Sequence, residues 1–192
     1  GIVDCDGYAI GMGRLAIIDV VSGGLAPITR GNLVLTYNGE LYNYVELREE
    51  LKILGHDFTT TCDSEVVLAA YQEWGHECLE KFNWMGAFAV ADGRRIFLAR
   101  DLAGEKPLFY SIYPKRPSKD FAFASEAKAL DFRCEEFPPA SYAYYDRDTG
   151  FMEIKTWWMQ SQEGGFDGTF EEAVGRLDSL LEDSIRLRTR AD

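Results

Sequence analysis

The stretch Thr36-Tyr37-Asn38-Gly39-Glu40-Leu41 sets an amide, a backbone N–H without a side chain and a carboxylate in consecutive positions. The triplet Asn38-Gly39-Glu40 can be plain turn chemistry, because Asn-Gly is a favoured tight turn. It can equally present a donor, a bare N–H and an acid to a small polar molecule. Arg14 sits between Gly13 and Leu15 in an otherwise apolar run and needs an acceptor there. Asp63 precedes a helical pattern and suits an N-cap. Cys5, Cys62, Cys78 and Cys134 form no C-x-x-C pair, and with His56 and His76 they give no zinc spacing, so no metal is expected.

The elements that must hold these residues change character along the chain. Tyr8–Ile18 and Leu33–Tyr37 read as strands. Asn43 followed by Glu46 matches a capping box. Tyr44, Leu47, Leu51 and Leu54 then recur at helical spacing, closed by Gly55. A second helix is expected after Asp63, with Val67, Ala70, Tyr71 and Trp74 on one face and Gly75 at its end, then a short one over His76–Phe82. Beyond Gly86 strands follow: Ala87–Ala91 and Arg95–Ala99 around the Asp92-Gly93 turn, Leu108–Ile112, Phe121–Ala124, Ser141–Tyr145 and Met152–Thr156. The polar, glycine-containing residues 159–168 read as a linker before an amphipathic helix over Phe170–Arg188. The class is α+β.

At 192 residues with 46% hydrophobic and 14% aromatic content, the chain can bury a core. Its 20 basic against 32 acidic residues give a net charge of −12, which disfavours nucleic acid or an anionic membrane as partner. No apolar run approaches the ~20 residues of a membrane span, and the start does not resemble a signal peptide. With scattered thiols and no disulfide framework, the expected compartment is cytoplasmic. Two motifs fail on context. Gly11-Met12-Gly13-Arg14-Leu15-Ala16 satisfies G-x-G-x-x-A, but β-type sequence continues where a dinucleotide fold needs a helix. Ser22-Gly23-Gly24 lacks the Asp-Ser that would complete a pyrophosphatase loop, so a turn before Pro27 suffices.

Taken in series, GMGRLAIID, SGGLAPI, YNGELYNYVELREEL, CDSEVVL, AFAVAD, FLARDLAGEKPLFY and ASEAKAL resemble the glutamine amidotransferase domain of asparagine synthetases, of the class II, N-terminal-nucleophile type. The resemblance covers nearly the whole chain in order. It implies a four-layer αββα sandwich, two antiparallel sheets between helices, of Ntn-hydrolase type. It implies glutamine as substrate, hydrolysed to glutamate and ammonia by an N-terminal cysteine whose α-amino group is the base. A C-terminal synthetase half of the same protein would use the ammonia. By the same resemblance, Asn38 and Gly39 form the oxyanion hole and Glu40 accepts from the carboxamide or departing ammonia. Arg14 clamps the α-carboxylate, Ile17 offers a backbone contact and Asp63 binds the α-ammonium. No cofactor belongs to this domain; ATP and magnesium belong to the synthetase half. A homodimer is compatible with all of this.

Against the family pattern, residue 1 is Gly, so the expectation is a domain spanning 1–158 that lacks its first strands and its catalytic cysteine. Residues 159–168 are then a linker and 169–192 the first helix of a truncated ATP-dependent synthetase domain. The chain as it stands is expected not to turn over glutamine. The alternative is a non-catalytic structural amidotransferase-like domain supporting a beta-lactam-synthetase-like or cyclase half. Arg100-Asp101 and Lys106-Pro107 are expected to organise a loop and the sheet end, and Cys62, Cys78 and Cys134 to pack.

Overall fold

A computed structural model describes residues 1–13, 26–112, 121–130, 133–160 and 164–189. The elements run β1 (Ile2–Cys5), β2 (Tyr8–Gly11), β3 (Ile28–Arg30), β4 (Leu33–Leu41), α1 (Tyr44–Ile53), α2 (Asp63–Trp74) and α3 (Cys78–Lys81). They continue with β5 (Trp84–Ala91), β6 (Arg95–Arg100), β7 (Phe109–Ile112), β8 (Phe121–Ala124), β9 (Glu135–Glu136), β10 (Ser141–Asp146), β11 (Met152–Thr156) and α4 (Phe170–Arg188). The main sheet has six antiparallel strands in the order β11-β10-β6-β5-β4-β3. Two small antiparallel sheets, β1-β2 and β8-β7-β9, complete the strands.

Side chains alternate across a pleat, so strands covered on both faces need two apolar sets in register. In β4, β5 and β6 one set is Leu35, Tyr37, Phe88, Val90, Phe97 and Ala99, packed against the buried residues of α1, α2 and α3. The other is Val34, Ala87, Ala89, Ala91, Ile96 and Leu98, packed with Ile10, Tyr110, Phe121 and Phe123 of the small sheets. This gives the α+β class and the helix–sheet–sheet order of the expected sandwich. Helix α2 differs from its expected one-sided face: Val66 through Ala70 are all buried, as befits a helix apolar nearly all round.

Three local expectations are corrected. β4 does not end at Tyr37; it continues through Asn38-Gly39-Glu40, which pair with Ala87, Gly86 and Met85 of β5. The Asn-Gly pair is therefore not a turn. Asn43 makes no side-chain cap, because its amide donates to the Lys81 carbonyl at 2.9 Å and accepts from Asn83 N–H at 3.0 Å. It ties the start of α1 to the α3–β5 connection instead. Asp63 is the first residue of α2, after Cys62, rather than its cap. Of the expected Tyr8–Ile18 strand, β2 accounts for Tyr8–Gly11, and residues from Arg14 on lie outside the described residues. β1, β3 and the two-residue β9 were not expected.

Candidate functional site

The edge of β4 builds the site. β3 pairs with β4 over Leu33–Leu35, and among the described residues no strand ladder covers the outer edge of β4 beyond that point. Tyr37 N–H points out to Met12 Sδ at 3.5 Å, and Leu41 N–H to Asp63 Oδ2 at 3.0 Å. Across the sheet Gly86 gives its own N–H and C=O to Asp101, at 2.8 Å each. In an antiparallel pair N–H directions alternate, so Gly39 N–H points outward with those of Tyr37 and Leu41. Along the strand it falls between the Tyr37 N–H that meets Met12 and the Leu41 N–H that meets Asp63.

Position 39 tolerates only glycine. A Cβ there would strike the Met85 carbonyl and lie 2.6 Å from Gly86 Cα and 2.8 Å from Tyr37 Cε2. One at position 86 would lie 2.8 Å from the same ring carbon and 3.0 Å from Trp84 Cε3. The Tyr37 ring thus covers a facing glycine pair. On the opposite face Asn38 stands across from Ala87, whose small side chain leaves the amide room.

A cavity of about 470 Å³ opens onto this edge, a volume fit for a small molecule. Asn38, Gly39, Glu40, Asp63 and Lys106 line its polar side, and Met12, Ala87, Ala89, Leu108 and Phe123 its apolar side. The structure therefore brings Asn38, Gly39, Glu40 and Asp63 together. Arg14 and Ile17 lie outside the described residues.

Electrostatics give the polar side its character. Burial raises the Asp63 pKa, against the opposing pull of Leu41 N–H, Cys62 and Ser64. Glu40 is raised by burial and then by the charge of Asp63, with Lys106 opposing. Tyr37 is pushed well up by burial, then by Asp63 and Glu40. Each group holds its proton more tightly mainly because it is buried, and the Asp63 charge adds to this at Glu40 and Tyr37. Such a cluster is complementary to an ammonium, and the Gly39 edge to a carbonyl oxygen.

The loop after β6 braces this edge. Asp101 accepts from Gly86, Ala103, Glu105 and Lys106 N–H groups. Arg100 donates to the carbonyls of Gly104, Lys106 and Phe137 and to Glu136. The pair organises the loop and sheet end as expected. It also sets Gly86 opposite Gly39 and brings Lys106 to the cavity, a placement that sequence reasoning missed. Tyr37 was missed too, although strand alternation puts it on the helix face with Leu35. Cys62 and Cys78 are buried. Cys62 lines the cavity, with Sγ 3.5 Å from Asp63 Oδ1. Among the described residues no His, Cys, Asp and Glu group could hold a metal, and no helix is long and apolar enough to cross a membrane.

The family profile described as "Glutamine amidotransferase domain" matches residues 1–145. The Bacillus subtilis asparagine synthetase [glutamine-hydrolyzing] 3 is 43% identical over 93% of this chain and 34% of its own length. A probable asparagine synthetase [glutamine-hydrolyzing] of Schizosaccharomyces pombe is 39% identical over 93% of this chain and 32% of its own. The chain thus spans about a third of these relatives. Among solved structures, the glutamine phosphoribosylpyrophosphate amidotransferase of B. subtilis superposes with a TM-score of 0.64 at 24% identity, covering 79% of this chain and 35% of that one. A class II domain protein from Silicibacter pomeroyi gives 0.55 at 15% identity, covering 71% and 72%. These likenesses show the fold, that of the Ntn-hydrolase amidotransferases.

Proposed function

We propose, on the premise that this chain belongs to the glutamine amidotransferase domain family, that its cavity binds free L-glutamine and holds the side-chain carboxamide for attack by a cysteine thiolate. The outward Gly39 N–H, between Asn38 and Glu40 on a cavity that Asp63 also lines, carries this reading. In the reaction a C–S bond forms at the carboxamide carbon and its oxygen becomes negative. Gly39 N–H and the Asn38 amide donate to that oxygen, and losing one such donor costs about 3 kcal/mol of barrier in other acyl-transfer enzymes. The C–N bond then breaks, ammonia leaves past Glu40 with the proton taken from the thiol, and water hydrolyses the thioester to glutamate. Asp63 pairs with the α-ammonium, Arg14 with the α-carboxylate, and Ile17 contributes a backbone contact.

The nucleophile in this reading is an N-terminal cysteine that the present 192 residues do not contain, activated by its own α-amine, whose pKa near ~8 suits a base at neutral pH. Cys62 does not replace it. Its thiol is buried beside the Asp63 carboxylate, an environment that disfavours the thiolate. Support for a larger assembly comes from the relatives: their names as asparagine synthetases and their threefold greater length favour a synthetase half that amidates an acyl acceptor with ATP and magnesium, in the cytoplasm. The test is glutamate release from glutamine by a polypeptide of the relatives' length whose N-terminal cysteine has been verified by sequencing. Steady release, abolished by Cys→Ala at that position, is expected. No release from a correctly processed chain overturns the catalytic reading and leaves the non-catalytic alternative.

A further inference from the structure

Residues 56–62, in the connection from α1 to α2, form neither helix nor strand, yet they deliver Asp63 to the cavity. Without a ladder, their backbone groups must be held by side chains. Two charged residues do this from the flanking helices. Glu65 accepts from Thr59 N–H at 2.9 Å and Thr60 N–H at 2.8 Å, and from both threonine hydroxyls. Arg48 donates through Nη1 to the Thr60 carbonyl and through Nη2 to the Cys62 carbonyl, the latter at 2.9 Å. Its guanidinium carbon lies 4.8 Å from the centre of the Phe58 ring, which helps to orient the fork.

The Cys62 carbonyl is the informative contact. A peptide is planar, so fixing that oxygen fixes the plane from which the Asp63 Cα departs. Cys62 N–H is held too, by Thr60 Oγ1 at 3.2 Å. Asp63 then meets β4 with Oδ2 on Leu41 N–H at 3.0 Å and lines the cavity beside Asn38, Gly39 and Glu40. Arg48 does not line the cavity, so its effect on a ligand passes through the segment that ends at Asp63. Spanning two carbonyls with one side chain suits the guanidinium fork and not a lysine ammonium.

We infer that Arg48 is a positioning residue of the glutamine site. By holding the Thr60 and Cys62 carbonyls it sets where the Asp63 carboxylate meets a ligand's ammonium. The inference deepens the proposed glutamine reading and rests on it for the identity of the ligand, though not for the placement of Asp63.

The test is Arg48→Met in the full chain, which keeps an unbranched apolar stem and removes the fork. The first readout needs no ligand: hydrogen exchange of Leu41 N–H, the donor to Asp63. Its protection is expected to fall about tenfold or more while Ala89 N–H, inside β5, keeps its own. Unchanged protection at Leu41, or an equal loss at both amides, overturns the inference, the second outcome showing general destabilisation only. The second readout is calorimetry with L-glutamine and N-acetyl-L-glutamine. Glutamine is expected to bind about tenfold more weakly, the weight of a hydrogen bond to a charged group. The acetylated compound, which has no ammonium, should change by less than about twofold. Equal weakening of the two compounds, or of neither, overturns the inference. If wild type binds no glutamine while Leu41 alone loses protection, the glutamine reading fails and the placement of Asp63 by Arg48 stands. Should Arg48→Met not fold, Arg48→Lys takes the same readouts, with smaller shifts in the same direction expected and unchanged values overturning the inference.

Discussion

Two clusters of buried charge lie within a few residues of the Gly39–Gly86 pair, and they are built on opposite plans. At the end of β6, Arg100 and Asp101 are almost fully buried, and each is surrounded by partners. Asp101 takes four backbone N–H groups, and Arg100 serves three carbonyls and a carboxylate. Across the sheet Asp63, Glu40 and Tyr37 are crowded together with raised pKa values, and Tyr37 has no acceptor among the described residues. A saturated cluster stabilises the fold, whereas one with spare capacity and uncompensated charge is suited to a ligand. Burial alone does not separate the two, since Asp63 also accepts from Leu41 N–H, Ser64 and Cys62; the raised pKa values and the Tyr37 hydroxyl without an acceptor among the described residues do.

The contrast breaks most visibly at Asp101. Asp101→Ala strands four N–H groups and frees the loop that carries Lys106. Urea unfolding is expected to show a loss of about 3–5 kcal/mol, the range for removing one member of a buried charged network. Asn38→Ala should do the reverse. Because Asn38 is exposed, its loss should change stability by less than about 0.5 kcal/mol. In a catalytically complete polypeptide it should lower kcat by about 10²-fold or more, read by glutamate release.

Asp63→Asn sharpens the comparison from the ligand side. The amide oxygen can still accept from Leu41 N–H, and the buried charge disappears, so the melting temperature should hold or rise. Glutamine affinity should fall at least about tenfold, by calorimetry, as expected for losing a charge-assisted contact. An Asp63→Asn variant that unfolds as readily as Asp101→Ala would place Asp63 with the structural cluster.

The smallest effect is on pH dependence. Asp63 and Glu40 hold protons more tightly folded than unfolded, so raising pH strips the unfolded chain first. Their contribution to stability is therefore present below the ordinary carboxylate range. It declines as pH rises from the unfolded toward the folded pKa values and then levels off. Melting curves across that window should show the decline in wild type, a shallower one in Asp63→Asn, and its reversal with glutamine, whose ammonium favours the ionised acids.

Legibility differed in the same physical terms. The α4 helix and the β10–β11 hairpin were readable because periodicity and turn residues are local signals. The chemistry-bearing triplet Asn38-Gly39-Glu40 was also readable, but its geometry was not. Asn-Gly is a turn only when the chain may reverse, and pairing with Ala87-Gly86-Met85 holds it straight. The Asn43–Glu46 capping box failed because Asn43's amide found partners 38 and 40 residues away. By contrast Thr169 and Glu172, an unremarked match to the same signature, form a reciprocal cap where α4 makes no competing demand. Tyr37 and Lys106 could not be assigned from sequence, since their importance comes from what β5 and the Asp101 loop place beside them.

The most direct measurement is calorimetric titration of the full chain with L-glutamine, run beside N-acetyl-L-glutamine, which keeps the carboxamide and carboxylate but removes the ammonium. Saturable binding of L-glutamine, with N-acetyl-L-glutamine weakened at least about tenfold, is the predicted result. Equal affinity for the two compounds, or no binding of either, would contradict the claim that the β4 edge and Asp63 together receive a free amino acid.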